Sequence, residues 1–70
     1  MQDWKRIVGA NVRRLRQTQE LSQEQLAFDA GIHLTYLGGI ERGRRNPSLL
    51  VLARIAKALS VSPAELLRQK

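Results

Sequence analysis

The chain of 70 residues carries 12 Lys and Arg against 6 Asp and Glu, a net charge of +6, with one His and no Cys. So short a chain is expected to form one domain over 1–70, close to the lower size at which a single apolar core suffices, and support from a second subunit suits that size. The lack of cysteine excludes disulfides and thiolate chemistry. No apolar run nears the roughly 20 residues that span a bilayer, and MQDWKRIVGA has no signal-peptide apolar stretch, so a cytoplasmic protein without a membrane partner is expected.

Trp4, Val8, Val12 and Leu15 recur at helical spacing and predict a first helix over about 3–18 with one apolar stripe. Lys5, Arg6, Arg13 and Arg14 lie off that stripe, and Lys5 and Arg6 read as a solvated basic face. In LSQEQL, Ser22 is an N-cap, Gln25 stands three residues later to complete a capping box, and Leu21 with Leu26 forms a hydrophobic staple. This second helix should run to about Ala30, where Gly31 suits the left-handed stop. A third helix over about Leu34 to Arg42 ends at Gly43. At about 100° per residue, Leu37, Ile40 and Glu41 share one side of it, and Thr35, Gly38, Gly39 and Arg42 share the other.

Ser48 caps a fourth helix whose stripe is Leu49, Leu52, Ile55, Ala56 and Leu59. The start signal then recurs in VSPAEL, with Ser62 as cap, Pro63 at the first helical position, Glu65 three after the cap and Val61 with Leu66 as staple. A fifth helix over about 63–69 follows, which makes the chain a compact all-α, five-helix domain without strands.

The positive excess points to an anionic partner, most commonly nucleic acid, although charge alone does not separate DNA from RNA, acidic protein or lipid. Helices two and three are joined only by Gly31, Ile32 and His33. Two short helices across a three-residue turn with glycine, over about 22–42, describe a helix-turn-helix, whose second helix enters the major groove of double-stranded DNA. LSQEQLAFDAGI, YLGGIERGRRNPSL and LARIAKAL in register resemble the lambda-repressor-like (Cro/XRE-type) helix-turn-helix family. TYLGGIERGRRN leans towards the controller proteins of restriction-modification systems. The resemblance covers about Val8 to Leu67. It implies a prokaryotic or phage-encoded transcriptional regulator acting at the nucleoid.

The resemblance also implies roles. Gln23, where relatives touch phosphate, has an amide and free backbone N–H groups suited to an anion; the alternative is a solvated helix terminus. His33, Leu34, Thr35 and Tyr36 open the recognition helix. Thr35 can meet a base by hydroxyl or methyl, and Tyr36 either donates to DNA or packs beside Leu37. Leu34 replaces a long polar side chain and His33 a Ser or Thr cap, so Leu34 offers a thymine-methyl contact at most, and His33 is grouped with the backbone candidates. Arg44, Arg45 and Asn46 are phosphate candidates, and Arg42 is the member of that run expected to reach a base.

Gly38 and Gly39 would let the helix backbone approach the groove, with Gly39 itself a base-contact candidate, or else avoid a clash with a neighbouring helix. Fewer side chains leave part of the discrimination to DNA shape. Arg16 and Glu41 match an ion pair frequent in the family, and breaking such a buried pair typically costs about 3–5 kcal/mol.

Relatives act as two-fold dimers on half-sites roughly 34 Å apart. Leu50, Val51, Val61, Leu66 and Leu67 are the candidate homodimer surface, through helix five and the adjoining end of helix four. Phe28 lies outside the Leu26, Ala27 and Ala30 cluster and is either exposed or padding for helix one. One histidine, scattered carboxylates and no phosphate loop offer no enzymatic constellation, cofactor or metal site, and no small-molecule ligand is expected. The competing readings are an antitoxin-like or adaptor module that binds protein through the same fold and, last, a basic amphipathic first helix on anionic membrane.

Overall fold

The structure, a computed structural model, describes residues 3–69; the extremes of the expected 1–70 range lie outside the described residues. Four α-helices follow one another: α1 (Trp4–Thr18), α2 (Gln23–Ala30), α3 (Leu34–Glu41) and α4 (Leu49–Ala58). Each has a non-helical N-cap residue, and at three of the four the cap side chain accepts a backbone N–H: Asp3 from Arg6, Ser22 from Gln25 and Ser48 from Val51. The full capping box of α2 does not form. Ser22 Oγ accepts from Gln25 N at 3.0 Å, but the Gln25 amide turns forward and donates to Asp29 at 3.0 Å.

All four helices close the same way. A left-handed residue follows the last turn, and its amide and the next one bond back into the helix, as with Gly31 N to the Phe28 carbonyl and Ile32 N to that of Ala27. Gly31 (φ 71°) and Gly43 (φ 75°) occupy this position without steric cost, whereas α1 and α4 use Glu20 (φ 59°) and Ser60 (φ 58°).

The expected fifth α-helix is instead a 3-10 helix, Pro63–Leu67. Five residues with proline at the start leave too few donors for an i→i−4 ladder. Glu65 N bonds the Ser62 carbonyl with 3-10 spacing, and the Glu65 side chain pairs loosely with Arg68 rather than reaching back to the cap.

α1 packs on α3 and on the 3-10 helix, α2 on α3 and α4, and α4 on the 3-10 helix. Their shared core is Val8, Val12, Leu26, Ala27, Ala30, Leu37, Ile40, Ile55, Ala56, Leu59 and Leu66. The closest helix crossing is at Gly9, where a β-carbon would collide with the Ile40 carbonyl and approach that of Glu41 to 2.9 Å. Among the described residues, no helix is long and apolar enough to cross a membrane.

The packing departs from the sequence expectations at several positions. Leu66 is fully buried in the core and cannot serve a dimer surface, because the 3-10 helix turns it against α1. Val51 and Val61 are partly buried against the same core. Leu49, expected in the buried stripe of α4, is 82% exposed, and Trp4 is about half exposed. Each is the first residue of its helix, one turn beyond the body of the core. Phe28 is 82% exposed and does not pad α1.

Asn11 is the main polar clamp in this packing. Nearly buried on α1, it donates to the carbonyls of Leu66 and Arg68, both at 2.9 Å, and its own carbonyl accepts from Arg14. Asn11→Ala leaves those carbonyls without their donor, so stability should fall by about 1–3 kcal/mol. Thermal unfolding by circular dichroism checks this; an unchanged melting temperature would show that the clamp contributes nothing.

Candidate nucleic-acid interface

α2 and α3 are eight residues each, too short to hold their shape alone, so tertiary contacts set the angle between them. A buried knot does much of this. Glu41, at the end of α3, accepts from Arg16 Nε at 2.7 Å and Nη2 at 3.1 Å, and from Gln23 Nε2 at 2.9 Å. Arg16 Nη1 also donates to the Leu21 carbonyl at 2.7 Å. The carboxylate is 2% exposed, and the end of α1, the start of α2 and the end of α3 converge on it. One hydrogen of the Gln23 amide is therefore committed to the fold, leaving the other and the first-turn backbone N–H groups of α2 for an anion.

The first turn of α3 is open. Leu34 is 42% exposed, Thr35 is exposed and Tyr36 is half-buried against the core. His33 is the N-cap by backbone alone: its carbonyl accepts Leu37 N at 3.0 Å, while its imidazole makes no capping bond.

Gly38 and Gly39 face away from the core, yet they are not bare to solvent. Gly43, left-handed, reverses the chain so that Arg44 N and Arg45 N both bond the Gly39 carbonyl, at 2.9 and 3.3 Å. That reversal lays the Arg45 side chain across Gly39 and brings its guanidinium to 5.2 Å over the Tyr36 ring. A β-carbon at Gly39 would overlap Arg45 Cγ, and one at Gly38 would sit 3.2 Å from Arg42 Nη1. No neighbouring helix lies within 4 Å of a β-carbon at Gly38, so clash avoidance does not account for that glycine. The glycines form a shelf for two arginines, and Gly39 reaches a base only if Arg45 swings aside.

Arg42, Arg44, Arg45 and Asn46 are exposed around this turn. The structure thus sets Thr35 and Arg42 on the outer side of α3 with the two glycines, Leu34 and Tyr36 on its flanks and Arg45 folded over Gly39, with Gln23 across the Glu41 knot. Sequence reasoning missed the Arg45 path and the Gly9 crossing. The left-handed Gly43, five residues after Gly38, was the available signal for the first; a lone glycine in an amphipathic helix was the signal for the second.

Two short helices joined by a tight left-handed turn, with the second presenting a polar and basic outer side, are the architecture of helix-turn-helix proteins. The chain belongs to the helix-turn-helix family, whose model matches residues 12–66. It is 47% identical over 68 residues to the control protein C.SmaI of Serratia marcescens, covering 97% of this chain and 81% of that protein. It is also 47% identical over 62 residues to the control protein C.BamHI of Bacillus amyloliquefaciens, covering 87% and 76%. The crystal structure of the restriction-modification controller protein C.AhdI from Aeromonas hydrophila superposes with a TM-score of 0.86 at 45% identity, covering 89% of this chain and 94% of that one.

The shelf is directly testable. Gly39→Ala gains helix propensity worth roughly 1 kcal/mol, but its β-carbon takes the place of Arg45 Cγ near the root of that side chain, so Arg45 should be displaced from Tyr36 and the melting temperature should rise by less than that gain. The side-chain proton resonances of Arg45, shifted by the ring in the parent, should move towards ordinary values; a destabilised variant with unchanged Arg45 resonances would contradict the arrangement.

Proposed function

We propose that the protein is a sequence-specific, double-stranded-DNA-binding transcriptional regulator acting as a homodimer on a symmetric operator, of the restriction-modification controller kind. The observation that carries this reading is the open first turn of α3, with Leu34 and Thr35 exposed beside Arg42, Arg44 and Arg45 and the whole held by the Glu41 knot. Similar proteins named as control and controller proteins support the finer assignment. In this reading Thr35 and Leu34 meet base edges in the major groove, with Tyr36 and Arg42 beside them. Gln23, His33, Arg44, Arg45 and Asn46 meet phosphates, which position the helix without reading sequence.

A single module of this size reads few base pairs, so discrimination is expected to come from two copies on one duplex face. Leu50 at 64% and Leu67 at 44% exposure remain as apolar surface for that contact, and the exposed Leu49 joins them. Leu66 drops out because it belongs to the core.

Site selection from a random duplex pool, followed by equilibrium binding, tests the DNA reading. The selected site should bind about 10³-fold or more tighter than random duplex. Thr35→Ala should change which sites are selected, and Arg44→Gln should weaken every duplex alike. Equal binding of all duplexes by the parent chain would remove the regulator assignment. Separately, sedimentation should show a dimer at tens of micromolar, corresponding to about −6 kcal/mol of association free energy. A monomer at that concentration, with Leu50→Lys and Leu67→Lys behaving as the parent does, would overturn the assembly.

A further inference from the structure

We infer that α1 carries a second phosphate-binding surface, a basic cleft against the end of α3 that takes duplex-backbone phosphates outside the reach of the helix-turn-helix. This rests on the DNA-binding reading above and extends it to α1 residues to which the sequence assigned either a solvated face, at Arg6, or no role, at Arg13.

The cleft has a volume of about 430 Å³, with Arg6, Arg13 and Arg14 along α1 and Arg42 at the end of α3. Its single lining carboxylate is Glu41, both of whose oxygens are already occupied by Arg16 and Gln23. Glu41 therefore neutralises the knot and not the cleft. Arg14 leans away, donating to Asn11 Oδ1 at 3.2 Å. Asp3, the remaining carboxylate on this part of α1, receives the backbone N–H of Arg6 at the helix cap. Among the described residues Arg6, Arg13 and Arg42 make no ion pair. Arg6 and Arg13 on the α1 wall, with Arg42 at the rim and its guanidinium lying back towards Gly38, leave the concavity without an internal counter-charge, which suits an external anion, and arginine forks match phosphate oxygens in pairs.

The shape comes from small residues. Ala10 lines the α1 wall, and left-handed Gly43 comes so close that a β-carbon there would be 3.2 Å from Arg6 Cα. No large side chain fills the space between.

Position selects the source of the phosphate. Arg42 is both the C-cap of α3 and a wall of the cleft, and Gln23 reaches the same Glu41 from the start of α2. The cleft is thus continuous with the recognition surface. From Arg6 to Arg13 the helix advances by about 10 Å, comparable to about three phosphate-to-phosphate steps of axial rise on one strand. A backbone running past Gln23 and Arg42 continues along Arg13 to Arg6.

The test measures binding of the full chain to its selected duplex and to random duplex of equal length across a salt series. Arg13→Gln and Arg6→Gln should each weaken both duplexes by the same factor and reduce the slope of log affinity against log salt by about 0.9 for each phosphate no longer neutralised. Arg13→Lys should largely restore the slope. Arg54→Gln, which removes the same charge from α4 beside Phe28, should keep the parent slope. Melting curves confirm folding, since Arg13 is an exposed residue.

Parent-like slopes in both α1 variants, with Arg44→Gln still reducing the slope, would overturn the cleft and leave the DNA reading standing. An equal reduction in Arg54→Gln would also overturn it, by making the effect one of net charge. Saturation of Arg6 and Arg13 resonances by inorganic phosphate but not by duplex would assign the cleft to a free anion and overturn the proposal. Failure of the parent chain to bind any duplex would remove both readings together.

Discussion

The geometry of the recognition surface depends on one buried carboxylate. Glu41 cannot be left alone in the interior, because an uncompensated buried charge costs several kcal/mol, and Arg16 meets it with a planar fork while Gln23 takes the remaining direction. Since these partners come from three helices, satisfying the charge also fixes how the three ends meet. A hydrophobic residue at that position could fill the volume but would not dictate direction. Together with the glycine crossing at Gly9, the knot locates α3 relative to α1, and everything exposed on α3 inherits that placement.

Local chemistry was the legible part of the fold. Ser22 and Ser48 cap where their side chains predict, and Gly31 and Gly43 stop helices where a left-handed residue is needed. The other two stops, at Glu20 and Ser60, carry no such mark, because a side chain tolerates that conformation when the following amides are well bonded. VSPAEL carries the same signals as a true helix start, yet only five residues follow in helical form, and the 3-10 geometry wins. Leu66 shows the other limit. Its place on a short terminal helix read as surface, whereas the Asn11 clamp, 55 residues away in sequence, turns it inward. Long-range polar contacts of that kind leave no periodic trace.

At the site, the sequence marked a stretch that the structure leaves open on α3, but not its arrangement. The glycine pair was legible as a face without side chains, and its orientation away from the core follows from helical spacing alone. What covers that face depends on the turn after the helix, where the amides of Arg44 and Arg45 fold back to one carbonyl. The basic residues of α1 were similarly visible as lying off its apolar stripe, but the cleft that Arg6 and Arg13 share with the end of α3 arises only from the packing of two helices. Composition counts charges; it does not say which of them share a concavity.

The resting position of Arg45 bears on the thermodynamics of recognition. An arginine free in solvent loses roughly 0.5–1.5 kcal/mol of rotamer entropy when an interface immobilises it. Held over Tyr36 and seated on Gly39, this one has already surrendered part of its freedom during folding. Preorganisation of that kind transfers an ordering penalty from association to the isolated protein, at the expense of helix stability, and under the proposed function it sets the guanidinium in place before a phosphate arrives.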